Sequence, residues 1–232
     1  MKRAILPRMF DAMPEARRLL ASGPPAATPP IPDDHRLLSI GHEACEILKA
    51  AGVPFMVGGG VAVWAYGRRR CTKDIDLFLP SKIPFVAMDA LGKRGFHTRD
   101  TDASWLYKAF KDGVLIDLIV WTTGNVRLDA ETFAHTRDAE IDGLPFTLMG
   151  PEDVLFRKIL SHREERRDWY DALSMLARPV ANFDWEYFMS RVRPEHARRV
   201  LSFVLYAQAD LGREAVPDWV VTALLKDLEV EA

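Results

Sequence analysis

The chain has 232 residues, of which 48% are hydrophobic and 28% are charged, so it can bury a core without metal or disulfide support. This composition excludes a collagen-like, a wholly disordered and a coiled-coil protein. With 31 Lys and Arg against 33 Asp and Glu the formal net charge is −2, so binding to nucleic acid or membrane would have to come from a local patch.

The first 34 residues are predicted to form an arm that precedes the folded body. Residues 1–22 have the spacing of an amphipathic helix, and the Pro-rich segment 23–32 is typical of an extended spacer. Both a docking helix and a partly ordered tail are consistent with this pattern.

The chain carries no sequence signal for export or for a membrane anchor. Its first apolar run is too short and too polar for a signal peptide, and no uncharged run approaches the roughly 20 residues that span a bilayer. The two cysteines, Cys45 and Cys71, fit neither a disulfide framework nor a zinc-binding spacing. We therefore expect a cytoplasmic protein with no membrane partner.

Residues 35–150 are predicted to form a small mixed-sheet domain. Apolar residues recur at helical spacing from Asp34 until Gly52, and short apolar runs bounded by Gly or Pro follow. An Asp-Gly pair at 112–113 between two such runs predicts a hairpin. The predicted elements are a helix over 34–48, a strand at 53–57, a glycine turn at 58–60, a helix at 61–66, a strand at 74–79, a helix over 85–91 and strands near 96–99, 105–110 and 114–121.

Residues 151–232 are predicted to form a helical C-terminal domain. Pro151, Glu152 and Asp153 are typical of a first helical turn, because proline needs no donor there and carboxylates favour the positive end of the helix dipole. The expected fold class is therefore α+β, a mixed-sheet domain followed by helices. Further helical stretches are predicted near 168–177, 184–192, 195–209 and 217–228.

Three aspartates on predicted strands are the candidates for chemistry. Because side chains alternate along a strand, Asp74 and Asp76 point the same way, roughly 6–7 Å apart, while Ile75 points into the core. Asp117 interrupts an otherwise apolar strand, where an unsatisfied carboxylate is costly. Carboxylates suit Mg²⁺ or Mn²⁺, and three on adjacent strands could hold two ions roughly 3.5–4 Å apart for attack at phosphorus. Asp74, Asp76 and Asp117 are therefore the predicted metal ligands and catalytic residues.

The glycines at 58–60 lie between a predicted strand and a predicted helix. A glycine turn at a helix N-terminus lets backbone amides approach phosphate oxygens. The segment has neither the Gly-Lys-Ser/Thr ending of a P-loop nor the glycine pattern of dinucleotide-binding proteins. Gly58, Gly59 and Gly60 alone are equally consistent with a tight turn, but together with the three aspartates they indicate a site for nucleotide phosphates.

The order of Gly58-Gly59, Asp74-Ile75-Asp76 and Asp117 resembles that of the DNA polymerase β-like nucleotidyltransferase superfamily. Within it, the chain looks most like the AbiEii-type toxin nucleotidyltransferases, and the resemblance covers about residues 45–178. It implies a nucleotidyltransferase sheet domain, two Mg²⁺ ions and an NTP as donor. The implied reaction transfers a nucleotidyl group and releases pyrophosphate.

The resemblance also implies nucleotide contacts. Lys158, followed by Arg167-Asp168 and Asp171, is similar to a helical motif of the family in which the lysine contacts the triphosphate. Arg70 and Thr72 fall inside the matching pattern and are predicted to bind the nucleotide as well. Many family members carry Ser or Thr directly after the glycine pair, whereas this chain has Gly60, which removes one side-chain hydroxyl.

The charged residues also have simpler explanations. Asp168 and Asp171 lie on one helical face beside basic residues, so a solvated ion-pair face would account for them, and a similar reading applies to Lys158. Basic residues at 68–73 and 157–199 give local surpluses that suit a triphosphate and could extend to an RNA backbone. Solvated helix faces are the commoner cause of such surpluses.

These patterns predict a Mg²⁺-dependent nucleotidyltransferase that moves NMP from an NTP to a macromolecular acceptor, either tRNA or a protein. A toxin of a toxin–antitoxin system, with a cognate antitoxin as partner, is one form of this hypothesis. One alternative is transfer to a small, antibiotic-type molecule. Another is a non-catalytic binding or antitoxin module, which the replacement of a family hydroxyl by Gly60 keeps open.

Overall fold

A computed structural model of the protein describes residues 33–102, 105–163, 168–178 and 182–230. The N-terminal arm predicted over residues 1–34 lies outside the described residues up to position 32. The described residues belong to the compact unit Pro32–Ala232.

Helices and strands are interspersed up to residue 148, and the elements are helical thereafter. A short 3₁₀ turn, Arg213–Ala215, separates the last two helices. In chain order the described elements are α1 (Asp34–Ala50), β1 (Met56–Val57), α2 (Gly59–Tyr66), β2 (Asp74–Phe78), α3 (Pro84–Gly92), β3 (His97–Asp102), β4 (Leu106–Lys111), β5 (Val114–Ile119), α4 (Ala130–Ala134), β6 (Arg137–Ile141), β7 (Leu144–Leu148), α5 (Pro151–Ser161), α6 (Asp168–Leu176), α7 (Trp185–Arg191), α8 (Pro194–Leu211) and α9 (Asp218–Val230).

The seven described strands form one mixed sheet in the order β3-β4-β5-β2-β1-β7-β6. β2 pairs in parallel with β5 and antiparallel with β1, while β1 pairs in parallel with β7. The expected α+β class, a mixed sheet followed by helices, is confirmed. The central position of β2 places its side chains away from both sheet edges.

One face of the sheet is buried under α1 and α3. Ile75 and Leu77 of β2, with Ile116 and Leu118 of β5, are fully buried there. Gly41 of α1 allows the helix to approach Ile75 closely, because a Cβ at that position would lie 2.9 Å from the Ile75 side chain. Strand alternation therefore turns the intervening polar residues toward the opposite face.

The predicted hairpin at Asp112-Gly113 is confirmed. Both residues have positive φ, 48° and 83°, as a two-residue hairpin loop requires, and β4 and β5 pair without a bulge. The edge strand β3 is exposed along its whole length and polar, which protects an open sheet edge from pairing with other chains.

Helix α4 and the hairpin β6–β7 were not among the predicted elements. β6 buries Ile141, but apart from Ala139 its other residues are polar, so its pattern carries little β signal. Its turn, Asp142-Gly143, has positive φ values of 50° and 80°, close to those of the predicted hairpin. The glycine turn is also shorter than expected, since α2 begins at Gly59 with Gly58 as its N-cap.

The C-terminal helices pack around α5, which is buried along most of its length and contacts α6, α7 and α8. The predicted stretches near 168–177, 184–192, 195–209 and 217–228 are all helical, with ends that differ by up to two residues. Among the described helices, none combines the length and the apolar character that crossing a membrane requires.

Candidate active site

The three predicted aspartates lie on one face of two adjacent strands. In the parallel pairing of β2 with β5, Asp76 is the direct partner of Asp117, and Asp74 precedes Asp76 by one full strand repeat. The side chains of all three aspartates are partly buried. Their neighbours along each strand, such as Ile75 and Ile116, are fully buried on the other face of the sheet. The register therefore brings these carboxylates to one patch of the sheet.

The glycine segment lies directly against this patch. The backbone N–H of Gly58 donates to the carbonyl oxygen of Asp76 at 2.9 Å, which ties the N-terminus of α2 to β2. Gly59 has φ +54°, and a Cβ at this position would overlap the Asp76 carboxylate. Glycine is therefore required at position 59 both by the backbone conformation and by the aspartate.

Gly60 faces Thr72 rather than open space. A Cβ on Gly60 would lie 2.5 Å from Thr72 Oγ1 and 3.0 Å from Thr72 Cβ. Thr72 is 5% exposed, and its hydroxyl donates to Asp74 Oδ1 at 3.3 Å. The threonine thus fills the space where a side chain at position 60 would stand, and it supplies a hydroxyl beside the aspartates.

Lys108 pairs with the third aspartate. Lys108 of β4 is the direct antiparallel partner of Asp117, and its Nζ donates to Asp117 Oδ1 at 2.6 Å. Burial raises the pKa of the Asp117 carboxyl, and the hydrogen bond and charge of Lys108 act against that rise. The prediction of site residues missed Lys108. The two-residue loop at 112–113 could have identified it, because counting back along the two strands from this loop places position 108 opposite position 117.

The donor set of Asp74 and Asp76 fits a hard divalent cation, since both carboxylates lie partly buried on one face. Asp117 differs, because Lys108 already neutralises one of its oxygens. Among the described residues, no three acidic, His or Cys side chains converge closely enough to hold a metal ion together. The predicted set of three ligands is therefore not assembled as a metal cage here, and its role in metal binding stays a prediction.

Arg70 and Lys158 meet at two buried carboxylates on α6. Arg70 donates to both oxygens of Asp171, from Nε at 2.7 Å and from Nη2 at 2.6 Å. Lys158 Nζ lies 2.9 Å from Asp168 Oδ1 and 3.0 Å from Asp171 Oδ2. This ion cluster joins the loop between α2 and β2 to the C-terminal helices. The neighbouring Arg167 lies outside the described residues.

A solvated ion-pair face is the wrong explanation for these residues. Asp168 and Asp171 are 3% and 1% exposed, and Lys158 is 8% exposed. Burial acts to raise the pKa of Asp171, but the hydrogen bonds and charges of Arg70 and Lys158 outweigh it and hold the pKa below its ordinary value. Whether Arg70 and Lys158 also contact a nucleotide stays a prediction.

The arginines beside Arg70 also have partners within the chain. Arg69 forms ion pairs with Asp142 at 2.6 Å and with Asp34 at 3.1 Å. The guanidinium of Arg68 lies over the ring of Tyr170, 3.5 Å from its centroid. All three arginines at 68–70 thus make contacts within the chain, and two of them, Arg69 and Arg70, are paired with carboxylates.

The family comparison agrees with this geometry. Residues 38–209, well over half of the chain, match the model of a family described as "Nucleotidyl transferase of unknown function (DUF2204)". No curated protein matches the chain.

Several solved structures are similar to this chain at low identity. The antibiotic-resistance factor ANT(2'')-Ia is 18% identical, with 85% of this chain and 95% of that chain covered and a TM-score of 0.47. An antigenic nucleotidyltransferase-like protein from Paracoccidioides brasiliensis is 18% identical over 72% and 93% of the two chains, with a TM-score of 0.45. The lincosamide antibiotic adenylyltransferase LnuA is 13% identical over 61% and 95%, with a TM-score of 0.44. At these values the likeness carries no inference about substrates.

Gly59→Ala is expected to weaken binding of a nucleoside triphosphate by about tenfold or more, because the new methyl group displaces the Asp76 carboxylate. Gly52→Ala is a matched control, since Gly52 has φ +65° but has no atom near its would-be Cβ. Both variants should lose about 1 kcal/mol of unfolding free energy from left-handed strain. Calorimetry with an NTP and Mg²⁺ measures the affinity. Equal affinity of the two variants would contradict a role for Gly59 and the Asp76 carboxylate in NTP binding.

Asp171→Asn is expected to lower the free energy of unfolding by about 3 kcal/mol at pH 7, because it breaks a buried ion pair. The native pKa of Asp171 is depressed, so its contribution is present above the ordinary aspartate pKa and is lost as pH falls through the native pKa. Urea unfolding at pH 7, 5, 4 and about 3 should show the difference from the wild type shrinking only below about pH 4.

Asp142→Asn is the control for this series. Asp142 pairs with Arg69 on the surface, and asparagine tolerates its positive φ of 50°. This variant should lose far less stability than Asp171→Asn at neutral pH. Equal losses, or a difference for Asp171→Asn that stays constant with pH, would refute the buried ion cluster.

Proposed function

The chain belongs to this family of nucleotidyl transferases, and from that premise we propose that it transfers NMP from an NTP to an acceptor hydroxyl with release of pyrophosphate. The observation that supports the proposal is the strand register that sets Asp74, Asp76 and Asp117 on one face beside the N-terminus of α2. Such a patch of carboxylates next to backbone donors can hold a divalent cation and phosphate oxygens side by side, as phosphoryl transfer uses them.

The N-terminus of α2 is the proposed binding site for the triphosphate. Its first intrahelical hydrogen bond runs from Ala62 N–H to the Gly58 carbonyl, so the N–H groups of residues 59–61 have no acceptor within the helix. These donors and the helix dipole favour phosphate oxygens. The Thr72 hydroxyl, which lies beside Gly60, donates to Asp74 Oδ1 and would have to give up that bond to donate to a phosphate oxygen.

Asp117 is the proposed general base. The acceptor oxygen forms a bond to the α-phosphorus, the bond from that phosphorus to pyrophosphate breaks, and the acceptor proton passes to the Asp117 carboxylate. Burial, which raises the pKa of Asp117, makes this carboxylate a better proton acceptor than a solvated aspartate. Lys108 keeps one of its oxygens in a fixed position.

Asp74 and Asp76 are the residues that would hold Mg²⁺ or Mn²⁺. When bound, such an ion supplies Lewis-acid polarisation of the phosphate oxygens. A second ion, held with the help of Asp117, is what the three strand aspartates and the resemblance to the polymerase β-like superfamily predict. The contact between Lys108 and Asp117 does not favour that arrangement.

The pairing of the arginines favours a small hydroxyl-bearing acceptor over RNA. Binding to an RNA backbone depends on uncompensated cations, whereas Arg69 and Arg70 are ion-paired within the chain. The acceptor class that we propose is therefore a small hydroxyl-bearing molecule, for which an antibiotic-type alcohol is the candidate to be tested first.

A macromolecular acceptor is the second candidate, and exposed apolar side chains support it. Tyr170, Tyr206 and Trp219, on three of the C-terminal helices, are 53%, 46% and 46% exposed. Aromatic residues of this kind are enriched in protein interfaces. A protein or tRNA target, a toxin role and a cognate antitoxin are finer hypotheses within this candidate.

The expected result of incubation with α-labelled NTPs and Mg²⁺ is transfer of label to one acceptor class. Aminoglycoside and lincosamide panels, total tRNA and cell protein would be offered separately. Asp117→Asn should reduce transfer by about 100-fold or more, because it removes the base. Asp100→Asn, an exposed aspartate on the edge strand β3, is the control and should transfer label like the wild type.

The outcomes separate the candidates. Label in the antibiotic panel supports the small acceptor, and label in tRNA or protein supports the macromolecular one. Full transfer by Asp117→Asn would refute the proposed site. NTP binding without transfer to any acceptor would favour the non-catalytic module.

A further inference from the structure

Lys108 forms a row with two of the site carboxylates. The antiparallel register of β4 and β5 sets Lys108 beside Asp117, and the parallel register of β5 and β2 sets Asp117 beside Asp76. The row runs across three adjacent strands on the face that α1 and α3 leave uncovered. Backbone pairing, not a flexible loop, thus determines that an ammonium group stands at the third carboxylate.

We propose that the Lys108 ammonium takes the place of a second metal ion at Asp117, so that the site binds one divalent cation, through Asp74 and Asp76. This proposal rests on the proposed function, which it deepens by stating the cation requirement. Lys108 acts through Asp117 and is therefore a positioning residue.

The contact between the two groups carries this inference. Lys108 Nζ lies 2.6 Å from Asp117 Oδ1, and the two side chains are only 29% and 14% exposed. A pair so shielded from solvent is screened less than a surface pair. A divalent ion that shared Asp117 would stand within a few ångströms of the ammonium and would be repelled by it.

The ratio of Mn²⁺ to nucleotide bound per chain tests the proposal without any need for turnover. The protein would be dialysed to equilibrium against Mn²⁺ and a non-hydrolysable α,β-methylene NTP, and the excess of each in the protein compartment measured. The wild type should bind about one Mn²⁺ per nucleotide, and Lys108→Met, which frees Asp117, should bind about two. Lys108→Arg, which retains a cation, should stay near one.

Lys111→Met is the matched control. Lys111 lies on the same strand, is 23% exposed and also makes a 2.6 Å ion pair, but with Glu43 instead of a site aspartate. This variant should keep the wild-type ratio. Urea unfolding of both methionine variants shows that the compared chains are folded.

Two Mn²⁺ ions per nucleotide in the wild type would overturn the proposal and leave the proposed function standing. The same ratio in Lys108→Met and in the wild type would also overturn it. The wild-type measurement does not depend on the folding of any variant. Absence of both Mn²⁺ and nucleotide from the wild type would overturn the proposed function as well, which distinguishes that failure from the first.

Discussion

The in-register parallel pairing of β2 with β5 is the constraint on which the site depends. Because side chains alternate along each strand, burial of Ile75 and Ile116 beneath α1 fixes which residues face the other way. A slip of one residue would carry Asp76 into the apolar layer and turn Ile75 out, at a cost that a core of this kind does not tolerate. The hydrophobic effect thus positions the carboxylates, although none of them belongs to the core.

The second constraint is the buried ion cluster that connects the sheet to the helices. Arg70 and Thr72 belong to the same short loop, so the bidentate contact of Arg70 with Asp171 also restrains Thr72 next to Asp74. Trp64 adds to this restraint, since its Nε1 donates to the Arg70 carbonyl at 2.8 Å. The helices beyond residue 150 therefore contribute to the site by holding a loop in place. A local charge count along the chain cannot show this, because it treats buried, paired arginines and solvated ones alike.

The sequence was informative where a pattern has a strong physical cause. Alternation predicted that Asp74 and Asp76 share a face, and the Asp112-Gly113 pair predicted the hairpin. β6 was missed because most of its residues are polar and few of them are buried. The alternation of apolar and polar residues that marks a strand is therefore nearly absent. The partners of Lys158 were predicted as a motif, but their burial was not, since burial depends on packing between α5 and α6 that no local pattern encodes. The pairing of Lys108 could have been predicted, because counting back from the two-residue hairpin loop places it opposite Asp117.

The replacement of a family hydroxyl by Gly60 now has a physical reason. Sequence comparison alone treats the glycine as a loss, and that loss was the main support for a non-catalytic module. In the folded chain the space next to Gly60 is filled by Thr72, whose hydroxyl lies 2.5 Å from where a Cβ at position 60 would stand. A serine or threonine at position 60 would therefore require the Thr72 side chain to move. Gly60 and Thr72 thus share one space, and the absence of a side chain at position 60 has a packing reason.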